Sequence, residues 1–408
     1  MSNAQIEIQL IASLVAIACA IPGTFLVLRK MAMISDAISH AILPGIVIGF
    51  IFIHGNFSFI DDFVVLSKFK QFLIHNGLES PFIILLASFT GVITVVLVEY
   101  IQKTGLVKED TAIGLVFPAL FSIGVILIAK NANDVHLDVD AVLLGELAFA
   151  PFDRLIVNDT DIGPKALWII SGILIITVGL LIAFFKELKL STFDKGLAAS
   201  LGFSPVIIHY GLMTVSSVTT VGAFDAVGAI LVVALMIAPA ASAYLLTTDL
   251  KKMLILSIVF GVFSAISGYW FARWLDASIS GSITTMLGLL FLIVYLFAPS
   301  KGVIAVLYRE KQQRTEVSLL TFLLHLKNHD EERERHVNHL NEHINWQKVR
   351  SKTVLDLALK NNMIVINDKI VSLTPKGDKF TTQAIDYIIT NEDAQIEDMK
   401  DDFFLFRG

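Results

Sequence analysis

Apolar residues fall into nine long runs, at about 6–28, 34–54, 81–101, 111–130, 166–185, 205–222, 226–247, 252–272 and 281–299. Each approaches the roughly 20 residues with which an α-helix crosses the hydrocarbon core of a bilayer. The pattern predicts an all-α polytopic membrane protein with about nine transmembrane helices. The sixth and seventh runs are nearly continuous, and only residues 222–226 separate them. After about residue 305 the long runs stop. Val317 to Leu326 is amphipathic, Arg335 to Glu342 reads as a short helix, and Val349 to Lys360 as another with Val354, Leu357 and Ala358 on its inner face. Met363–Ile366 and Ile370–Leu373, joined by Asn367-Asp368-Lys369, predict a β-hairpin. Thr374-Pro375-Lys376-Gly377 starts a last helix, Asp378 to Thr390. The expected organisation is a transmembrane domain over 1–303, a linker over 304–315, a small α+β domain over 316–390 and an acidic tail over 391–408.

Composition sharpens the division. The 408 residues are 55% hydrophobic and 17% charged, with mean hydropathy +0.72, which excludes an ordinary soluble protein of this length. Residues 309–408 hold 15 Lys/Arg and 17 Asp/Glu, nearly half of all charges, so a water-soluble unit begins near residue 305. The net charge of -6 gives no general case for nucleic-acid binding. Cys19 stands alone in an apolar run, which excludes disulfides and cysteine-based metal sites. The N-terminus has no basic region or cleavage site, so its first run reads as a retained span. Basic residues gather in alternate loops, at Arg29 and Lys30, Lys103 and Lys108, Lys186 to Lys195, Lys251 and Lys252, and Lys301. The 131–165 loop is acidic. The basic loops are therefore expected in the cytoplasm, with the N-terminus outside and the C-terminal domain inside.

The stretch Ser35-Asp36-Ala37-Ile38-Ser39-His40-Ala41-Ile42-Leu43-Pro44-Gly45 carries the chemistry. Asp36 and His40 are four residues apart, so on a helix they share a face one turn apart. A carboxylate and an imidazole that converge can form half of a transition-metal site. Ionisable residues in an apolar segment commonly mark a transport path. Pro44 lacks an N–H for the carbonyl of His40, which predicts a kink beside the pair. The same spacing also suits an interfacial helix end, with Asp36 as a cap and His40 among headgroups.

This stretch resembles the signature of the permease subunits of ABC-type manganese, zinc and iron importers. Further stretches resemble the same family in the same order. Lys108-Glu109-Asp110-Thr111-Ala112-Ile113-Gly114 opens the fourth span, although plain helix capping accounts for its residues equally well. Leu143-Leu144-Gly145-Glu146 follows that span, in a loop where Asp134, His136, Asp138 and Asp140 alternate and read better as solvated than as a cation site. Between Lys186 and Gly202, the residues Phe193, Asp194, Leu197, Ala198, Leu201 and Gly202 resemble the family's coupling helix, which docks into the ATPase. Phe193, Leu197, Ala198 and Leu201 are expected on one face of a single short helix ended by Gly202, where an ordinary interfacial helix would carry the same stripe. Gly222 to Ala243 is the longest match, with Asp225 expected as a helix cap rather than a gate or second metal contact, and Pro239 as a kink. Ser278-Ile279-Ser280-Gly281-Ser282 resembles a Pro-Ser-Gly motif but has Ile279 where proline is common.

The resemblance covers about residues 7–300 and implies a type II ABC importer permease in a bacterial cell (inner) membrane. It implies Asp36 and His40 as ligands of a transported divalent metal (Mn, Zn or Fe), with no permanently bound cofactor. The implied partners are a cytoplasmic ATPase subunit, an extracytoplasmic metal-binding protein, a second permease copy or homologue, and membrane lipid. No G-x-x-x-x-G-K-[ST] loop occurs, so the chain is expected not to be an enzyme.

The C-terminal helices, hairpin and Leu373-Thr374-Pro375-Lys376-Gly377 resemble a winged-helix domain of the diphtheria-toxin-repressor type. In such a domain Lys348, Arg350 and Lys352 are candidate DNA phosphate contacts. The tail's acidic balance favours a regulatory protein contact instead. His336, His339 and His343 share one face if Arg335–Glu342 is helical and could bind a regulatory metal, although their charged neighbours suit a solvated face. Two alternatives to an ABC permease remain at this point: a membrane-tethered metal-responsive transcription regulator and an ion-coupled secondary metal carrier. The second would require inverted repeats, and none is evident.

Overall fold

The computed structural model describes residues 3–54, 70–73, 79–131, 147–157, 160–328, 335–337 and 348–390. The alternating Asp134–Asp140 segment, Leu143–Glu146, His339, His343 and the 391–408 tail lie outside these residues. The chain forms two compact units, Met1–Leu296 and Phe297–Gly408.

In the first unit, nine helices among the described residues are long and apolar enough to cross a membrane. They are α1 (Asn3–Leu28), the broken pair α2 (Ala32–Ala41) and α3 (Leu43–His54), α4 (Glu79–Lys103) and α5 (Glu109–Asn131), then α6 (Lys165–Ala183). After the short helices α7 (Phe185–Phe193) and α8 (Lys195–Ser200) come α9 (Pro205–Val227), α10 (Ala229–Leu246), α11 (Leu250–Leu275) and α12 (Ile279–Phe297). All nine expected runs became helices within a few residues. In lipid a spanning segment must satisfy its backbone internally, so an apolar run of this length has little choice but to be helical.

Helix α1 is the hub of this unit. It packs on α6, α9, α10 and α11, and Ile11, Ala12, Val15, Ala16, Ala18, Cys19 and Ala20 along it are buried. Small residues let its backbone approach its neighbours closely. At Gly23 a Cβ would lie 2.0 Å from the carbonyl oxygen of Met236 in α10, so no side chain fits. The pair α2/α3 packs against α4 and α5.

Two breaks shape the spans. Pro44 interrupts the second span as expected: α2 ends at Ala41 and α3 begins at Leu43, with the N–H of Ile42 bonded to the Ile38 carbonyl. The break between the sixth and seventh spans falls at Gly228, later than the expected 222–226. Gly228 has φ 82°, ψ 160°, a conformation open essentially only to glycine. Asp225 therefore lies in the last turn of α9 and is not a cap, since Gly228 occupies the N-cap position of α10. Ser280, at the start of α12, donates to the carbonyl of Val227 at 3.1 Å and ties the ninth span to this break. On one side of the unit, strands β1 (Arg154–Val157) and β2 (Thr160–Pro164) pair antiparallel. There Arg154 holds Asp161, and the Gly163 N–H together with this guanidinium lowers the Asp161 carboxyl below its usual range.

In the second unit α13 (Val303–Asn328) is one continuous helix, so residues 304–315, expected as a linker, are helical. Leu319, Phe322, Leu323 and Leu326 on α13 meet Val354 and Ala358 on α14 (Lys348–Lys360). Ile364 of β3 (Ile364–Asn367), Val371 of β4 (Ile370–Leu373), and Phe380 and Ala384 of α15 (Pro375–Thr390) complete this core. The hairpin turns at Asp368 and Lys369, with φ of 50° and 66°, as a two-residue turn between twisted strands requires. Thr374 caps α15 by accepting from the Gly377 N–H at 3.1 Å, and Pro375 takes the first helical position. A Cβ on Gly377 would lie 2.1 Å from the carbonyl of Met363.

The expected helix at Arg335–Glu342 is not formed where it is described. His336 makes an isolated antiparallel bridge with Ile370 of β4, where the Val337 N–H bonds to the Lys369 carbonyl and the Val371 N–H to the Arg335 carbonyl, each at 3.0 Å. The unpaired edge of β4 needs backbone partners, and that demand outweighs the weak helical preference of a charged stretch. His336 lies in this bridge and not on a helix, and His339 and His343 lie outside the described residues.

Candidate metal site

Between Ile34 and Ile42 every residue is buried except Asp36 and His40. The buried face of α2 is pinned. Ser35 donates to the thioether of Met236 in α10 at 2.9 Å, and Ser39 donates to the carbonyl of Ser35 at 3.0 Å. At Gly45 a Cβ would lie 2.7 Å from Leu86 O and Ala87 Cα, so glycine lets α3 rest directly on the backbone of α4. These contacts fix the rotation of the helix, and Asp36 and His40 are what that rotation leaves open. Their side chains are 42% and 34% exposed.

The Nε2 of His40 lies 3.6 Å from the Oδ1 of Asp36. This exceeds hydrogen-bond range, so neither group saturates the other. The His40 ring packs at 5.8 Å and 39° against Phe117 of α5, which limits its swing. A carboxylate oxygen and an imidazole nitrogen held this way suit a borderline divalent cation. No group of three or more His, Cys, Asp or Glu occurs among the described residues, so one chain offers two donors here.

The segment expected to dock an ATPase differs from its expected form. It is not one helix. Phe193 ends α7, Asp194 caps α8 by accepting from the Leu197 N–H at 2.9 Å, and Gly202 follows in the left-handed region at φ 88°. Ala198 is fully buried and belongs to the inner face. Phe193, Leu197 and Leu201 are 58%, 47% and 60% exposed and form the outward apolar surface. Phe185, Lys189 and Phe193 line a cleft against Thr248–Lys251 at the start of α11.

A second ionisable group in the spans escaped the sequence reading. Glu99 in α4 holds His209 and Tyr210, neighbours in the first turns of α9. The rule that drew attention to Asp36 and His40 applies equally to Glu99 and His209, each in an apolar run. Their distance in sequence hid the pairing. In the second unit Lys352 is exposed on α14, whose axis includes Lys348 and Arg350.

A multi-pass helical membrane protein with an open carboxylate–imidazole pair beside a broken span is, by class, a transport protein. The chain belongs to the ABC 3 transport family, whose model matches residues 2–298. It is 42% identical over 375 residues to the zinc transport system membrane protein TroD of Treponema pallidum, covering 91% of this chain and 96% of that one. It is 43% identical to the manganese transport system membrane protein MntD of Bacillus subtilis, over 71% of this chain and 91% of that one. The solved structure of PsaBC from Streptococcus pneumoniae in complex with Fab superposes with a TM-score of 0.58 at 28% identity, covering 74% of this chain and 94% of that one. The chain is thus a permease subunit of an ABC-type manganese, zinc or iron transport system. The TroD match is too long to fit within the first unit, so much of the second unit has a counterpart in that relative. The family assignment does not favour a tethered regulator or an ion-coupled carrier.

Proposed function

We propose that this permease carries divalent manganese, zinc or iron into the cytoplasm, with Asp36 and His40 as the ligands that take the ion across. The observation that carries this reading is that, from Ile34 to Ile42, the only side chains left open are a carboxylate and an imidazole. Two donors are too few for a transition-metal ion, which takes four to six. A second permease copy or homologue, placed by two-fold symmetry, would supply the matching pair and make a four-donor site on the axis. The mixed donor set admits all three metals.

ATP hydrolysis comes in this reading from a separate cytoplasmic subunit docked on Phe193, Leu197 and Leu201, with Asp194, Ala198 and Gly202 shaping the segment. A metal-binding protein delivers the ion from the opposite side. The second unit lies in the cytoplasm and acts as a winged-helix regulator through protein contact. Its core of three helices and a hairpin, with a single bridge from His336 to β4, supports that assignment. DNA contact by Lys348, Arg350 and Lys352 is the other role open to it.

The test is uptake by cells that express the full transport system. Asp36→Ala and His40→Ala each leave the buried face of α2 intact, so both proteins should reach the membrane in normal amount and uptake should fall to background. Wild-type uptake by either well-inserted variant would remove the metal-site assignment.

A further inference from the structure

Arg29 lies in the turn between α1 and α2, seven residues before Asp36. This turn is closely tied. The N–H groups of Arg29, Lys30 and Met31 bond to the carbonyls of Phe25, Val27 and Leu26 at 2.9–3.0 Å, and Lys30 takes φ 61°. From it the guanidinium spreads to three acceptors. Its Nε donates to Thr192 Oγ1 at 3.1 Å, its Nη2 to Ser191 Oγ at 3.4 Å, and its Nη1 to His209 Nδ1 at 3.3 Å. Ser191 and Thr192 immediately precede Phe193, at the end of α7. Ser191 is fully buried. Thr192 donates its own proton to the Leu188 carbonyl at 2.6 Å, which turns its lone pairs toward Arg29.

The chemistry of His209 fixes what this cluster can do. A guanidinium only donates, so Nδ1 of His209 must accept, and the ring proton sits on Nε2, which faces the carboxylate of Glu99. Nδ1 is then engaged by Arg29, and Nε2 lies against the Glu99 carboxylate as an ion-pair contact rather than a formed hydrogen bond. Glu99 accepts from Tyr210 at 2.7 Å, with Lys103 at 3.9 Å. His209 and Glu99 are only 14% and 16% exposed, so the links are shielded from water and strong. The chain of contacts runs from the end of α7 through Arg29 to the α1–α2 turn, and through His209 to α9 and α4.

We propose that Arg29 is a positioning residue that carries movement of the docking segment to the α1–α2 turn, and so to the helix that holds Asp36 and His40. This rests on the proposed docking of an ATPase subunit at Phe193, Leu197 and Leu201. The fan of donors grips two adjacent residues of α7, so a shift of that segment pulls on the turn directly. Lysine keeps the charge but cannot direct donors to three acceptors at once.

The experiment uses the full chain reconstituted in liposomes with its ATPase subunit and metal-binding protein, reading manganese, zinc and iron uptake, ATP hydrolysis and bound ATPase. Arg29→Gln and Arg29→Lys should retain the ATPase and its hydrolysis while metal moved per ATP falls by about tenfold, the size expected for one lost charge-assisted hydrogen bond. The double variant Ser191→Ala/Thr192→Val leaves the Arg29–His209–Glu99 links in place and should show the same fall. A ratio that stays at the wild-type value overturns the proposal, whether the complex is intact or uptake, hydrolysis and assembly fall together as in a purely structural defect. Failure of the docking assignment reads out separately, as an ATPase that stays bound when Phe193 and Leu197 are truncated.

Discussion

The carboxylate of Asp36 and the imidazole of His40 sit one turn apart without a hydrogen bond, on a helix whose other face is held by other residues. Ser35 on Met236 and Gly45 on the backbone of α4 set the rotation, and the exposure of Asp36 and His40 follows from it. Glycine at 45 is a requirement of packing, whereas Gly114 in α5 faces open space with nothing within 4 Å of a Cβ. Alanine at 45 would press on backbone atoms that cannot rotate away, and such overpacking costs about 1–3 kcal/mol. Gly45→Ala should therefore lower the thermal unfolding midpoint in detergent and reduce uptake, while Gly114→Ala should leave both unchanged or slightly raise the midpoint, as alanine favours helix. Equal effects of the two substitutions would show that the close approach at Gly45 does not hold α3 in place.

Among the elements, the spans were legible because lipid leaves an apolar run of about 20 residues only one way to satisfy its backbone. The break at Ile42 was legible from Pro44, since a missing N–H is a local fact. The break at Gly228 was not, because many glycines line these helices and only tertiary contact decides which one adopts a positive φ. The docking segment shows the same limit. Its apolar stripe was evident, but the Asp194 cap that divides it into α7 and α8 turns Ala198 inward and leaves Phe193, Leu197 and Leu201 outward. The bridge from His336 to Ile370 and the Glu99–His209 link depend on partners far away in the chain, which periodicity does not register. For the docking segment the expected outcome is specific. Phe193→Ala with Leu197→Ala removes two exposed side chains without touching the buried face. The permease should insert normally and lose most of the ATPase on co-purification, while Ala198→Leu should instead impair folding of the segment. Retention of the ATPase by the double variant, with hydrolysis still stimulated, would move the docking surface elsewhere.

The whole molecule joins a membrane unit that belongs to a transport family to a second unit with its own core. On the cytoplasmic side proposed for it, the second unit would meet metal that has already crossed and be placed to report the internal supply. Two kinds of report differ in what α14 does. A DNA reader would use Lys348, Arg350 and Lys352 on phosphates, and its binding would fall steeply with salt as counterions are released. A regulator of transport would instead touch the ATPase, the twin permease or its own membrane unit. The acidic balance of residues 309–408 opposes approach to a polyanion, and a membrane tether restricts any search along DNA, so regulation of transport is the expected role. Because α13 is continuous from Val303, a clean removal must begin at the helix start, not within the 304–315 stretch. A chain ended after Gly302 should still insert and take up metal when cells are starved of it. In cells already loaded with manganese, zinc or iron it should continue importing where the full-length protein slows. Uptake by the shortened chain that falls with internal metal just as the full-length protein does would exclude this role, and loss of salt-sensitive promoter binding on the same truncation would assign the unit to DNA.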